Sequence, residues 1–134
     1  MIKFEHLKNT SGLYIVTLKN HDPISVNAND KRLAEKCIKV NFQNCKFGKA
    51  KCLYRRHKNY LKVFGEENTF YTPIVSLQEI DLAESLILKA LDQYRLKGRT
   101  GKKNEWLCNL TKDQLIEIIM TSLENSNIPF IDLR

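Results

Sequence analysis

Alternating apolar and polar residues predict three β-strands in this chain. Gly12–Lys19 is rich in Leu, Tyr, Ile and Val, which is typical of a buried strand. Val40–Ala50 predicts a second strand, interrupted by Gly48, and Thr69–Leu77 predicts a third. Because proline donates no ladder hydrogen bond, Pro73 indicates that the third strand lies at a sheet edge or contains a bulge.

Apolar residues at helical spacing predict three longer helices. Leu53–Phe64 is a basic helix, and Leu77–Leu96 has a continuous apolar face. Ser76 and Glu79 have the spacing of a capping box at the start of the second helix. Thr111–Leu123 begins in the same way, with threonine at the cap position and glutamine three residues later.

The remaining segments are a short helix, loops and a tail. Asp30–Ile38 predicts a short helix that follows a loop over Asn20–Asn29. Lys97–Asn104 is a basic loop that contains glycine, and the apolar residues of Asn127–Arg134 are expected to pack on the body.

These elements predict one α/β domain over residues 1–134, whose length suffices for a sizeable core. We expect a small three-stranded, mainly antiparallel sheet flanked by helices. The core of the domain spans about residues 12–107, and the C-terminal helix and tail span residues 108–134.

Charge and cysteine content narrow the classes of partner. Lys and Arg outnumber Asp and Glu by 22 to 15, which gives a formal net charge of +7 and favours contact with polyanions such as nucleic acid. The four cysteines form no CxxC pair and the three histidines are scattered, so a structural zinc site is not expected. No signal peptide or membrane span is recognisable, which predicts an intracellular protein of the cytoplasm or nucleus, or a virion component.

Five residues with chemically useful side chains occur in a fixed order. Tyr14 follows Gly12-Leu13 at the start of the first strand, and Lys46 opens the segment Lys-Phe-Gly-Lys-Ala on the second. Arg56 and Tyr60 are one helical turn apart and therefore project from one face. Glu84 is an acid beside the apolar face of the next long helix.

This ordered set resembles the GIY-YIG nuclease superfamily, in particular its viral and phage branch, over roughly residues 12–107. Gly-Leu-Tyr corresponds to the first tripeptide of the family and Lys-Phe-Gly to the second, with Lys46 in place of the usual tyrosine. The resemblance implies that Tyr14, Lys46, Arg56, Tyr60 and Glu84 are catalytic and that Glu84 holds the metal. Asn104 corresponds to the late asparagine of the family, with Asn109 as the alternative.

Phosphodiester hydrolysis needs a deprotonated water, positive charge on the phosphate oxygens and help for the leaving oxygen. Glu84 is the expected ligand of Mg²⁺ or Mn²⁺, since Mg²⁺ retains most of its waters and needs few protein ligands. Tyr14 is the expected base, provided that Lys46 and Arg56 favour its phenolate form. Arg56 is also suited to a bidentate contact with the phosphate.

A second group of basic residues is expected to bind the DNA backbone, namely Lys49, Arg55, Lys58, Lys97, Arg99, Lys102 and Lys103. Each of these signals has a purely structural alternative. Tyr14 alone is typical of a half-buried strand residue, the basic run on the helix is typical of a solvated face, and Glu84 would suit an ion pair with Arg55 or Arg56.

Three hypotheses of function follow. The first is a Mg²⁺-dependent endonuclease acting on DNA, with a protein partner supplying specificity. The second is an inactive nucleic-acid-binding module with the same fold, which the lysine at position 46 favours. The third is a structural or minor capsid component of a large DNA virus.

Overall fold

The computed structural model describes residues 4–28, 30–34, 37–98 and 101–134. The helices are α1 (Lys31–Ala34), α2 (Leu53–Phe64), α3 (Ile80–Ala90) and α4 (Lys112–Asn125), and the strands are β1 (Gly12–Leu18), β2 (Ile24–Ser25), β3 (Lys39–Val40), β4 (Cys45–Ala50), β5 (Thr69–Ser76), β6 (Arg95–Lys97), β7 (Lys103–Leu107) and β8 (Ile131–Asp132). Among these elements, no helix is long and apolar enough to cross a membrane.

The main sheet has the order β6-β7-β4-β1-β5-β8, and every neighbouring pair is antiparallel. The predicted strands around Tyr14, Phe47 and Ile74 form its centre, because β1 pairs with β4 on one side and with β5 on the other. The α/β class and the antiparallel sheet are therefore confirmed. The expected three strands are a miscount, because the sheet contains six strands within the described residues.

Helices cover both faces of this sheet. Helices α3 and α4 pack on the face that carries Leu13, Ile15 and Phe47. Helix α2 packs on the opposite face, against Tyr14 and Trp106. Since side chains of a strand alternate between faces, successive residues of β1 belong to two separate cores.

Two predicted elements are interrupted by side-chain hydrogen bonds and strand pairing. The strand over 40–50 is broken at residues 41–44, where Asn41 and Asn44 accept hydrogen bonds from backbone amides and close a turn. The helix predicted to end at Leu96 ends at Ala90, because Arg95–Lys97 pairs with β7 instead. Of the expected basic loop over 97–104, residue 97 lies in β6 and residues 103 and 104 lie in β7, whereas residues 99 and 100 are outside the described part of the chain.

The N-termini of α3 and α4 show whether the two predicted capping boxes form. At α4 the side chain of Thr111 accepts from the amide of Gln114, whose own side chain accepts from the amide of Thr111, so this prediction is confirmed. At α3 the cap position is Glu79, which makes no side-chain cap hydrogen bond, and Ser76 belongs to β5.

Pro73 and the tail behave largely as the pattern indicates. The β1–β5 register shifts between Leu13 and Tyr14, which places a bulge beside Pro73. In the tail Ile128 is buried, but Ile131 is 68% exposed on the edge strand β8, contrary to the expectation that it packs on the body. The short helix predicted over 30–38 is described only as Lys31–Ala34, and residues 35 and 36 lie outside the described part of the chain.

Candidate functional site

Two tyrosines from different elements form a hydrogen-bonded pair beneath α2. Tyr14 lies in β1 and Tyr60 on α2, and their hydroxyl oxygens are 2.7 Å apart. Tyr14 is 1% exposed and Tyr60 is 8% exposed, so neither forms part of an open surface. From the sequence, we expect the five site residues to line one shallow, positively charged cleft, and the burial of Tyr14 contradicts this expectation.

Gly48 provides the space that the Tyr14 ring occupies. The two residues are partners in the β1–β4 register. A Cβ atom at position 48 would lie 2.3 Å from the Tyr14 hydroxyl oxygen and 2.4 Å from Cζ, which is closer than any side chain tolerates. The glycine of Lys-Phe-Gly is therefore required by the tyrosine on the neighbouring strand.

Tyr71 completes the aromatic cluster and was not identified from the sequence. Its ring stacks on Tyr14 with centroids 5.1 Å apart, and its hydroxyl donates to the carbonyl oxygen of Leu53 at 2.9 Å. Tyr71 thereby links the tyrosine pair to the first turn of α2. Strand alternation was the signal in the sequence that could have identified Tyr71. Alternation shows which residues of β5 share a face, but the position of Tyr71 opposite Val16 depends on the β1–β5 register.

Two cations lie beside the tyrosine pair. The Lys46 nitrogen is 5.2 Å from the centre of the Tyr60 ring, and its side chain is 15% exposed. Arg56 is exposed on α2, one turn before Tyr60, and its charge acts on the hydroxyls of both Tyr14 and Tyr60. The structure therefore brings Tyr14, Lys46, Arg56 and Tyr60 together.

Burial raises the pKa of both phenols, which are protonated at neutral pH as ordinary tyrosines are. It raises the pKa of Tyr14 far above the ordinary value, and it outweighs the lowering by Lys46 and Arg56. Burial also raises the pKa of Tyr60 to about 12, although the hydrogen bond with Tyr14 and the charge of Arg56 both lower it. The two cations do lower the pKa of Tyr14, as expected, but desolvation disfavours the charged form more strongly, so the net shift is upward.

Glu84 lies on the other face of the sheet from the tyrosines. Its carboxylate contacts the Lys49 nitrogen at 3.0 Å, and Asp81, one turn earlier on α3, contacts the same nitrogen at 2.6 Å. Lys49 points to this face because it alternates with Gly48 along β4. Glu84 is thus paired with Lys49, and neither Arg55 nor Arg56 is its partner among the recorded ion pairs of the described residues.

Glu105 is an acid beside the tyrosine pair that the sequence analysis did not assign to the site. Its carboxylate lies 3.4 Å from the Lys46 nitrogen, and its charge contributes to the raised pKa of Tyr60. Glu105 precedes Trp106, which is a buried core residue. The segment Asn-Glu-Trp-Leu that contains Glu105 is part of the resemblance to the viral and phage branch, which implies no role for Glu105 itself.

The pairing of β6 with β7 is irregular beside Glu105. The β6–β7 pairing runs from Lys97 opposite Lys103 to Arg95 opposite Leu107, so β7 contains extra residues between these pairs. Strict alternation would place Glu105 and Leu107 on one face, away from the tyrosines. The Glu105 carboxylate nevertheless reaches the Lys46 nitrogen on the neighbouring strand, and the irregular register lies at this point of β7.

Asn104 holds that bulge. Its side-chain oxygen accepts hydrogen bonds from the amides of Glu105 at 2.8 Å and Trp106 at 3.3 Å. Asn104 therefore acts on its own backbone in this structure. The alternative, Asn109, has a left-handed backbone conformation with φ of 60° and is exposed.

A cleft at the free edge of β4 connects the two faces of the sheet. Strand β7 pairs with β4 only at Cys45 and Lys46, so the later part of this edge is uncovered. A cavity of about 290 Å³ lies there, bordered by Arg55, Arg56 and Asn59 of α2 and by Asp81 of α3. We call this cavity the edge cleft.

The expected DNA-binding residues form two groups. Lys49, Arg55 and Lys58 surround the edge cleft or continue from it along α2, and the Lys58 nitrogen lies 4.7 Å from the centre of the Tyr54 ring. The second group occupies the β6–β7 hairpin, where Lys103 pairs with Asp92. Lys97 and Lys102 are exposed in this hairpin, and Arg99 lies outside the described residues.

Ligands for a metal are limited to carboxylates. Within the described ranges, no group of three or more His, Cys, Asp or Glu side chains is arranged to hold a metal ion, and all four cysteines are free thiols. Asp81, which borders the edge cleft, and Glu84 share the Lys49 nitrogen and are a pair of carboxylates on α3.

Residues 37–121 match the T5orf172 domain family, and this range is more than half of the chain. The chain therefore belongs to this family, whose members occur in phage and viral proteins and are associated with nuclease-type domains. The matched range includes Lys46, Arg56, Tyr60 and Glu84, whereas Tyr14 precedes it. No curated protein and no solved structure matches the chain significantly.

Proposed function

We propose that this member of the T5orf172 family is a metal-dependent endonuclease of the GIY-YIG type that hydrolyses phosphodiester bonds in DNA. The observation that carries the proposal is the convergence of Tyr14, Tyr60, Lys46 and Arg56 on one side of the sheet. The protein is basic, and two cations lie next to a hydrogen-bonded pair of tyrosine hydroxyls. This arrangement is suited to bind and activate a phosphodiester.

Arg56 binds the phosphate in this proposal. Its side chain borders the edge cleft together with Arg55, so two guanidinium groups face the space that a DNA backbone would enter. A planar guanidinium can donate two parallel hydrogen bonds to phosphate oxygens, which both binds and orients the group.

Tyr60 and Tyr14 act as hydrogen-bond donors rather than as a base. Both are protonated at neutral pH, as ordinary tyrosines are, and burial raises the pKa of each further. When Tyr14 donates to the Tyr60 oxygen, the Tyr60 proton is free to point to a phosphate oxygen. The developing negative charge on the phosphate then strengthens this donation, as required of a group that stabilises the transition state.

Glu84 and Asp81 are the residues that would hold a divalent metal. Their carboxylates meet at one lysine nitrogen, and hard oxygen donors of this kind suit Mg²⁺ or Mn²⁺. When bound, such an ion would neutralise phosphate charge and lower the pKa of a bound water. Without a metal ion, the positive charge of Lys49 neutralises the same two carboxylates.

A cleavage assay on supercoiled plasmid tests the proposal. Nicked or linear product should form with Mg²⁺ or Mn²⁺ and should be absent with EDTA. Arg56→Gln should abolish the product, whereas Lys89→Gln, on the exposed side of α3, should not. Absence of cleavage by the purified parent under every metal condition would refute the proposal.

A second function is favoured by a specific observation. Lys49 holds Glu84, and the buried Tyr14 is protonated, so the described conformation is suited to bind phosphate without cutting it. A DNA-binding module without hydrolytic activity has this property. It predicts tight, salt-dependent binding of DNA by a protein that fails the plasmid assay.

A further inference from the structure

The basic side of the candidate site already holds a carboxylate. Lys46 is 15% exposed, and the Glu105 carboxylate at 3.4 Å from its nitrogen is 44% exposed, so Glu105 is the more solvent-accessible member of the pair. The position from which a phosphate would reach Lys46 and Tyr60 is thus next to a negative charge. This arrangement opposes the binding of a polyanion.

The position of Glu105 is specified by the local backbone. It follows from the irregular β6–β7 register and from the two hydrogen bonds that the Asn104 side chain accepts from the amides of residues 105 and 106. A flexible surface acid would show no such support. The strand β7 also pairs directly with β4 at Lys46, so the acid and the lysine are held on adjacent strands.

We propose that Glu105 is an intramolecular competitor for the phosphate, which occupies Lys46 until a phosphodiester displaces it. This inference rests on the proposed binding of DNA at the same site. A phosphate that approaches Lys46 repels the carboxylate and takes over its ion pair, and the exposed Glu105 side chain then turns to solvent. Ligands that do not contact Lys46 leave the pair intact, so the acid selects for anions that penetrate as far as Tyr60.

Equilibrium binding of a short DNA duplex in EDTA, where no cleavage occurs, tests the inference. Glu105→Gln should tighten binding by about fivefold or more, because it removes the competing charge while keeping the shape of the side chain. Glu117→Gln is the matched control, since it removes the same charge from an exposed position of α4 on the other face of the sheet. Screening at physiological salt limits its effect to less than about twofold.

A double substitution separates competition for Lys46 from a general charge effect. In a Lys46→Met background, Glu105→Gln should tighten binding no more than Glu117→Gln does. Equal effects of Glu105→Gln in both backgrounds would overturn the inference, and so would equal affinities of Glu105→Gln and Glu117→Gln in the parent background. Glu105→Ala provides a second variant if the glutamine protein fails to fold, as judged by circular dichroism.

The outcome is distinguishable from a failure of the proposed function. A parent protein that cuts plasmid but whose affinity does not change with Glu105→Gln overturns the inference alone. A parent that does not cut, but whose Glu105→Gln variant binds DNA more tightly only when Lys46 is present, supports the inference and refutes the nuclease. No binding of DNA by any variant at low salt overturns both.

Discussion

The hydroxyl oxygens of Tyr14 and Tyr60 lie 2.7 Å apart, although 46 residues separate them in the sequence. One comes from the central strand and the other from the helix that covers it. The pair connects the sheet to the element that carries Arg56, so its geometry determines where the arginine lies relative to the strand.

We expect Tyr14→Phe and Tyr60→Phe each to destabilise the protein by about 1 kcal/mol, because each leaves the remaining buried hydroxyl without its partner. The double variant should lose less than the sum of the two, since no unpaired hydroxyl remains. Denaturant unfolding of the four proteins measures the coupling. Strictly additive losses would show that the hydrogen bond contributes nothing.

Tyr14→Phe should also impair cleavage.

Stability should depend on pH at the alkaline end. Burial raises the pKa of Tyr60 to about 12, compared with 10 for an ordinary tyrosine. A raised pKa in the folded state contributes stability that is complete below pH 10 and is lost as the pH rises towards 12. Urea unfolding at pH 9, 10 and 11 should show this decline.

Tyr60→Phe provides the control for that decline. It removes one of the buried phenols, so the slope of unfolding free energy with pH should become smaller between pH 10 and 12. Tyr14 and Tyr71, whose pKa values are also raised by burial, preserve part of the slope. An unchanged slope of unfolding free energy with pH would contradict the raised pKa of Tyr60.

Gly48→Ala should destabilise the protein by about 1–3 kcal/mol, because the added Cβ overlaps the Tyr14 ring at 2.3–2.4 Å. Gly98→Ala is the matched control. A Cβ there would lie 3.7 Å from the Lys102 carbonyl oxygen, which is an ordinary contact. Midpoints of chemical unfolding measure both, and equal midpoints would contradict the close approach.

DNA binding should weaken steeply as salt increases, because each phosphate that is neutralised releases counterions. Arg55→Gln should reduce the slope of log affinity against log salt by roughly 0.9 if the arginine contacts one phosphate. Lys58→Gln should behave in the same way. Lys89→Gln, on the other side of the sheet, should leave the slope unchanged. Fluorescence anisotropy over a salt series checks these slopes, and a flat salt dependence would remove nucleic acid as the partner.

Glu84→Gln should abolish metal-dependent cleavage while DNA binding survives. Loss of a principal metal ligand should cost several powers of ten in rate, on the order of a thousandfold or more, because the metal supplies both water activation and charge neutralisation. Single-turnover cleavage and anisotropy in EDTA measure the two effects separately. Glu117→Gln is the control, and cleavage by Glu84→Gln at the parent rate would contradict the role of this carboxylate.

The sequence by itself determined the central elements of the fold. The apolar strand around Tyr14, the basic helix Leu53–Phe64 and the Thr111 capping box depend on local periodicity and cap chemistry, which short segments encode fully. The grouping of Arg56 with Tyr60 was predictable for the same reason, since residues four apart on a helix share a face.

Only the tertiary structure decided which acid meets which cation. Glu84 pairs with Lys49 and Glu105 with Lys46, because α3 packs on one face of the sheet whereas β7 pairs with the edge of β4. Sequence spacing contains no information on this pairing. The irregular β6–β7 register beside Glu105 is equally absent from the sequence pattern, since a bulge depends on the register between two strands and not on either strand alone.

The protonation state of Tyr14 was likewise decided by packing. From the sequence, Lys46 and Arg56 were the neighbours expected to lower its pKa. In the folded protein the Tyr14 ring packs against Tyr60 and Tyr71 and lies over Gly48. The resulting desolvation raises the pKa of Tyr14 more than the two positive charges lower it. Charge can be counted along a chain, but burial is a property of the whole fold, and burial determines how strongly those charges act.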